Sequence, residues 1–386
     1  TLDADTTISN DLTITAGTLD TSGSNYALTV TGHVSVAGTL TGNESVISMK
    51  SLTIAATGTY SATNQTTTIN GEGDGTGGSS NGFALYNTAD GTFTHNNGMV
   101  AITTNTNTVV YGMEGDDTSG TGANAFNRLQ VELGNAAYFV KLRPAAGTAH
   151  VIKGNVTVAE GIFRTETDAH TLTIEGDVSV ESGGTLGHAD KTGADSFGSL
   201  TIASGGTAIA TSGTTTILGS SGGFAILDEG TFTHNSGTVH IDYETSNLNS
   251  STRIHQNGAK KINNLEIEMN RTTDEVTLSV VSGTSQGLAG NFTLTKGEAM
   301  LYNNGHAFDV DGDFTVAANG TWGAVAHTGA HEFGSVTIAS GGTFLATSGT
   351  TTITGELASS GFAFKNEGTF THNNGIVSLE STSNTH

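Results

Sequence analysis

Gly91-Thr-Phe-Thr-His-Asn-Asn-Gly98 returns as Gly230-Thr-Phe-Thr-His-Asn-Ser-Gly237 and again as Gly368-Thr-Phe-Thr-His-Asn-Asn-Gly375. Phe93, Phe232 and Phe370 are almost evenly spaced along the chain. A near-identity of this length at almost constant spacing marks an internal repeat, and copies of one unit usually stack into a common core. Other blocks recur in the same order. Ile8 to Ile14 matches Ile152 to Val158 and Leu288 to Leu294. Leu28 to Val36 matches Leu172 to Val180 and Phe308 to Val316. Ser51-Leu-Thr-Ile54 matches Ser199-Leu-Thr-Ile202 and Ser335-Val-Thr-Ile338. The repeats divide the chain into copy one over residues 1–151, copy two over 152–287 and a truncated copy three over 288–386.

Within each block apolar residues alternate with Thr or Ser, as in Leu-Thr-Ile and Val-Ser-Val. Period two is the mark of a strand with one buried face. Thr and Val fit such a pleated surface well. The runs are short and separated by Gly, Asn, Asp and Ser, which supply the positive φ of tight turns. In copy two Ile202, Ile209, Ile217 and Ile226 recur at short, nearly regular intervals. Three such strand-plus-turn units predict a coil of about 20 to 24 residues, the spacing of a parallel β-solenoid. The expected fold is therefore all-β, a parallel β-solenoid (β-helix) of about three ~139-residue repeats, the last truncated. The alternative is a string of antiparallel β-sandwiches. A single proline, Pro144, agrees with ladders that tolerate no missing donor.

Composition narrows the function. Of 386 residues, 54 are Gly and 13% are charged, with 13 Lys plus Arg against 36 Asp plus Glu and a net charge of −23. Such a surface lacks the clustered cations that hold phosphate, so no nucleic-acid partner is expected. Cysteine is absent, which removes disulfides and thiolate metal sites. No apolar run of about 18 residues is present, so no membrane span is expected. The composition fits an extracellular protein of a cell surface or virion. The chain begins with Thr1, as a processed protein or an excerpt of a longer one would.

Candidate sites are few. His95, His234 and His372 share one repeat position, but lie too far apart in the chain to share a metal. Each reads as a turn histidine beside Asn96, Asn235 or Asn373. Asp309, Asp311 and Asp313 form a carboxylate cluster of the kind Ca2+ favours. Their equivalents are Thr173, Glu175 and Asp177, then Thr29, Thr31 and His33, so the repeat itself does not need the carboxylates. Glu72 and Asp74, and Glu114 to Asp117, are loop carboxylates of the same kind. No catalytic, cofactor-binding or metal residue is assigned, and Ca2+ is the one cation considered. Asn64, Asn155, Asn291 and Asn319 lie in glycosylation sequons. Two divergent stretches, Gly112 to Asn124 and Asn247 to Gly258, read as loops leaving the wall, where variable contacts live.

The Gly-Thr-Phe-Thr-His-Asn-Asn-Gly unit, the Phe126-Asn-Arg-Leu129 and Ile262-Asn-Asn-Leu265 blocks, and Leu12 to Leu19 resemble repeats of large surface proteins of prokaryotes and phages. The resemblance implies an adhesin-like or tail-fibre-like β-solenoid stalk and brings no shared catalytic residue. Copy three stops where a basic segment follows in the other two. That interruption raises the expectation of a homo-polymer built by end-to-end stacking, a filament subunit or surface stalk. A second reading is a shaft that binds glycan or a cell surface through its loops. A third, a carbohydrate-active enzyme, lacks paired carboxylates supported by Arg, of which there are only five.

Overall fold

A computed structural model describes all residues except 22, 74–81, 89, 114–123, 145–148, 259–260, 281–282, 284, 357–360 and 381–386. Among the described residues there is no helix, and the strands pair in parallel from coil to coil. Among the same residues, antiparallel contact is confined to isolated bridges, Gly73 with Phe83 and Ser221 with Phe224. This is the β-solenoid, and the sandwich alternative falls with the parallel ladders. Two compact units are formed, Thr1–Ala194 with Ala203–Ala208, and Asp195–Ile202 with Ile209–His386.

In the first unit Leu28 lies beside Thr6, and Ile47 in turn beside Leu28, each one coil further along the chain. Thr67 and Val100 are neighbours in the same way but lie further apart in sequence. In the second unit Phe314 follows its partner Phe292 after a short coil, whereas Leu265 follows Val239 after a longer one. The expected coil of about 20 to 24 residues therefore describes only the plainest turns of the wall. The step between neighbours varies along the chain, and several ladders shift register at a bulge, as between Val131 and Glu132 and between Leu294 and Lys296.

Alternation does what the sequence implies. Leu28, Val30, Val34 and Val36 are buried, while Thr29 and Ser35 between them are only partly covered. Identical side-chain positions stack coil on coil. In the first unit one inward column runs Leu19, Leu40, Tyr60, Phe93. In the second, Trp322, Phe344 and Phe370 form another. Trp322 is buried against Phe308, 4.8 Å between ring centres, and Phe314, 5.2 Å. Burying such rings contributes about 1.5–3 kcal/mol each relative to exposure, with favourable ring geometry adding to it.

One expectation needs correction. Asn247 to Gly258 is not wholly a loop: Thr252–Gln256 is a wall strand, paired with Val276 to Val280 on one side. Its inward side chains are Thr252, Ile254 and Gln256, so two of three core positions are polar and the apolar alternation is hidden. Of the companion stretch Gly112 to Asn124, residues 114–123 lie outside the described residues, and the copy-one strand that matches Thr252–Gln256 is Thr108–Tyr111.

Candidate functional site

The three Gly-Thr-Phe-Thr-His-Asn-Asn/Ser-Gly stretches fold alike. Thr92–Thr94, Thr231–Thr233 and Thr369–Thr371 are strands. Each is followed by two residues of positive φ: Asn96 and Asn97, Asn235 and Ser236, Asn373 and Asn374. The Gly98 amide donates to the His95 carbonyl at 2.9 Å, Gly237 to His234 at 3.0 Å and Gly375 to His372 at 2.9 Å. These are type I′ turns, which need positive φ at both central residues and so favour Asn. Each imidazole Nδ1 accepts the amide two residues on, at 2.9 Å in all three turns. His95, His234 and His372 are thus corner residues, as their repeat position implies. The closing glycine is fixed by space: a Cβ on Gly98 would sit 1.9 Å from the Thr63 carbonyl oxygen. On Gly237 it would sit 2.1 Å from that of Thr211.

A second corner explains another repeated block. Asn155 Oδ1 accepts the Asp177 amide, 3.0 Å, and Asn291 Oδ1 accepts the Asp313 amide, 2.9 Å; Asp11 does the same for His33 at 2.8 Å. All three bonds span 22 residues, one coil. The glycine before each donor (Gly32, Gly176, Gly312) leaves room for the accepting side chain to reach in. Asp313 in turn accepts the Ser335 hydroxyl at 2.6 Å, where His33 bonds Ser51 at 2.7 Å. Asp313 is therefore tied into a corner. Asp309 is half-buried and Asp311 exposed on the same strand, Ala307–Trp322. Glu72 accepts the Thr106 hydroxyl; Asp74 and Glu114 to Asp117 lie outside the described residues.

Several basic residues are engaged with rings and acids. Arg143 pairs with Glu166, and Arg164 lies 4.5 Å from the Phe139 ring centre. Arg253 lies 4.0 Å over Tyr302 and 5.3 Å from Phe224.

Among the described residues one group of three metal-ligating side chains converges: His240, Asp242 and Glu268 offer atoms that all lie within 4.8 Å of one another. The strand Thr238–Asp242 runs in register beside Asn264–Glu268, with His240 opposite Glu266 and Asp242 opposite Glu268. Val239, Ile241, Leu265 and Ile267 are buried inside. Alternation therefore sends His240, Asp242 and Glu268 to the outer face. The His240 Nε2 is enclosed and makes no hydrogen bond; it stands 3.7 Å from Glu268 Oε2. Asp242 is buried and accepts the Thr245 amide through Oδ1, 2.8 Å. Burial pushes the Glu268 carboxyl above the ordinary carboxylate range. A hydrogen bond with Glu244, and the charges of Glu244 and Asp242, push it the same way, while His240 opposes them. Lys296 Nζ lies 3.2 Å from Glu244.

This cluster escaped the sequence reading because it occurs in one copy only. At the matching positions of copy one stand Ala101 and Thr103, with Glu132 in place of Glu268. The available signal was His240-Ile-Asp242, a pair two apart on a strand, followed one coil later by a carboxylate.

Two further sets of titratable groups are interior. In the first unit His150 and His170 approach to 3.3 Å between ring nitrogens, and buried Lys191 donates to the His170 carbonyl at 2.5 Å. In the second unit His331 packs against His327, Phe308 and Trp322, with both ring nitrogens buried and unbonded. Burial, helped by a neighbouring histidine, pushes His150 and His331 each down to about 3.

No protein-family model, curated protein or solved structure matches the chain. The β-solenoid stands on the structure, and no match supports an adhesin or tail-fibre identity.

Proposed function

We propose that the chain is a structural β-solenoid of a cell or virion exterior, a segment of a stalk or filament that stacks head to tail and carries no catalytic role. The observation that carries this reading is the wall itself: parallel strands pair from coil to coil and stack apolar columns such as Leu19, Leu40, Tyr60 and Phe93 inside, with Thr and Ser between them turned outward. Coils of this kind are held by their nearest neighbours, so the same ladders can continue from one copy to the next. Negative-stain microscopy and sedimentation over a rising concentration series test the assembly. End-to-end particles of constant width are expected. A monodisperse monomer at the highest concentration rejects head-to-tail stacking.

A second reading, glycan or surface binding, is favoured by a shallow depression lined by Asn25, Asn43, Glu44, Asn64 and Asn96. Amides and a carboxylate suit sugar hydroxyls. Glu44 already accepts from Asn25 at 3.2 Å and from Asn64 at 3.4 Å. A glycan-array signal lost in Glu44→Ala would support it, and a blank array would remove it.

A further inference from the structure

We propose that His240, Asp242 and Glu268 form a binding site for one divalent first-row transition cation of the Zn2+ class, which clips together two neighbouring coils of the second unit. Three observations converge. Asp242 and Glu268 are direct cross-strand partners on one face, and like charges placed opposite each other destabilise a sheet. Glu244 adds a third carboxylate beside Glu268. Lys296 is placed to offset one of these three charges, and a cation between Asp242 and Glu268 would offset the remainder.

The imidazole supplies the independent pointer. His240 Nε2 is enclosed, has no hydrogen-bond partner and faces Glu268. An imidazole nitrogen left without a bond at the edge of a carboxylate group is an available ligand rather than a satisfied one. One nitrogen with two or three carboxylates suits a borderline cation such as Zn2+. Ca2+ takes six to eight oxygens and gains nothing from the imidazole. Bonds of about 2.1 Å place tetrahedral ligands about 3.4 Å apart, so binding draws the three side chains closer than the 4.8 Å within which they now lie. The ligands come from adjacent strands in fixed register, which pre-positions them on rigid elements. The proposal is independent of the stalk reading.

The test is Zn2+ titration by calorimetry of the tag-free full chain after chelator treatment, with Co2+ visible absorption as the reporter of nitrogen ligation. One Zn2+ per chain is expected, insensitive to an equal concentration of Ca2+. His240→Ala, which installs the residue copy one has at Ala101, and Glu268→Gln should each weaken binding about 100-fold or more, whereas His234→Ala should leave it unchanged. If either variant fails to give the wild-type β-sheet circular dichroism, the other decides. Absence of stoichiometric Zn2+ binding overturns the proposal. So does binding that survives both substitutions, which would place the ion on the general negative charge or on other histidines. Displacement by equimolar Ca2+ overturns the assigned cation class.

Discussion

Lowering the pH from 7.5 to 5.0 should destabilise the second unit through His331, and His331→Ile should remove that part of the loss. The folded state holds this imidazole down at about 3, against 6.5 when free, because burial among Phe308, Trp322 and Phe333 penalises the cation. A depressed pKa means that the unfolded chain binds the proton first. The contribution to stability is therefore complete above about pH 6.5 and is lost as the pH falls towards 3. At pH 5.0 the gap is about 1.5 pH units, or about 2 kcal/mol at about 1.4 kcal/mol per unit. For a body of this size that is about 4–8 °C in Tm. Ile47 is the matching residue of copy one: it pairs with Leu28 as His331 pairs with Phe308, and it is fully buried. Isoleucine is thus already accommodated at this position of the wall. The assay is thermal unfolding followed by circular dichroism at both pH values. The Tm of the wild type should fall by about 4–8 °C more than that of the variant. Equal falls would refute the assignment of a buried neutral imidazole.

Other outcomes follow from the corners and the core. Gly237→Ala would place a methyl group 2.1 Å from the Thr211 carbonyl oxygen and 2.6 Å from that of Gly213, costing about 1–3 kcal/mol by urea denaturation. Ser236→Asn should stabilise by up to about 1 kcal/mol in the same assay, since Asn tolerates the positive φ of 59° there better than Ser. Asn291→Ala should cost about 0.5–1.5 kcal/mol by exchanging the acceptor of the Asp313 amide for water. Trp322→Ala should cost about 3–5 kcal/mol, read as a drop in the urea midpoint, because the rings of Phe292, Phe308, Phe314, His327 and His331 line the space it leaves.

Strands and corners were legible because the two obey local rules. Val-Ser-Val and Leu-Thr-Ile announce one buried face, and Asn-Gly after Thr-Phe-Thr-His announces positive φ. The turn role of His95 follows from the same eight residues. Coil length was less legible, since the step differs from one pair of neighbours to the next, being longer from Thr67 to Val100 than from Phe292 to Phe314. Thr252–Gln256 was hidden because Thr252 and Gln256 occupy inward positions that apolar residues usually hold. The metal-ligand cluster needed the register: only the pairing of Asp242 with Glu268 makes a strand histidine, its neighbour and a distant glutamate one group. Interior histidines were illegible for the opposite reason. His331-Glu-Phe333 alternates correctly, but polarity argues against placing an imidazole inside.

Nearest-neighbour stacking has an evolutionary consequence. Each coil's ladder bonds reach only the coil before and the coil after, so adding or deleting one coil is a local edit that leaves the remaining cross-sections intact. A function written on two adjacent strands is then portable. Copy one already has Glu132 at the place of Glu268, with Ala101 and Thr103 at the places of His240 and Asp242. Two substitutions, Ala101→His and Thr103→Asp, would give the first unit the same three residue types, provided that the buried Ala101 position opens to admit the imidazole. A wall of this kind can gain or lose chemistry by drift at outward positions, while the crowded corner glycines keep its shape unchanged.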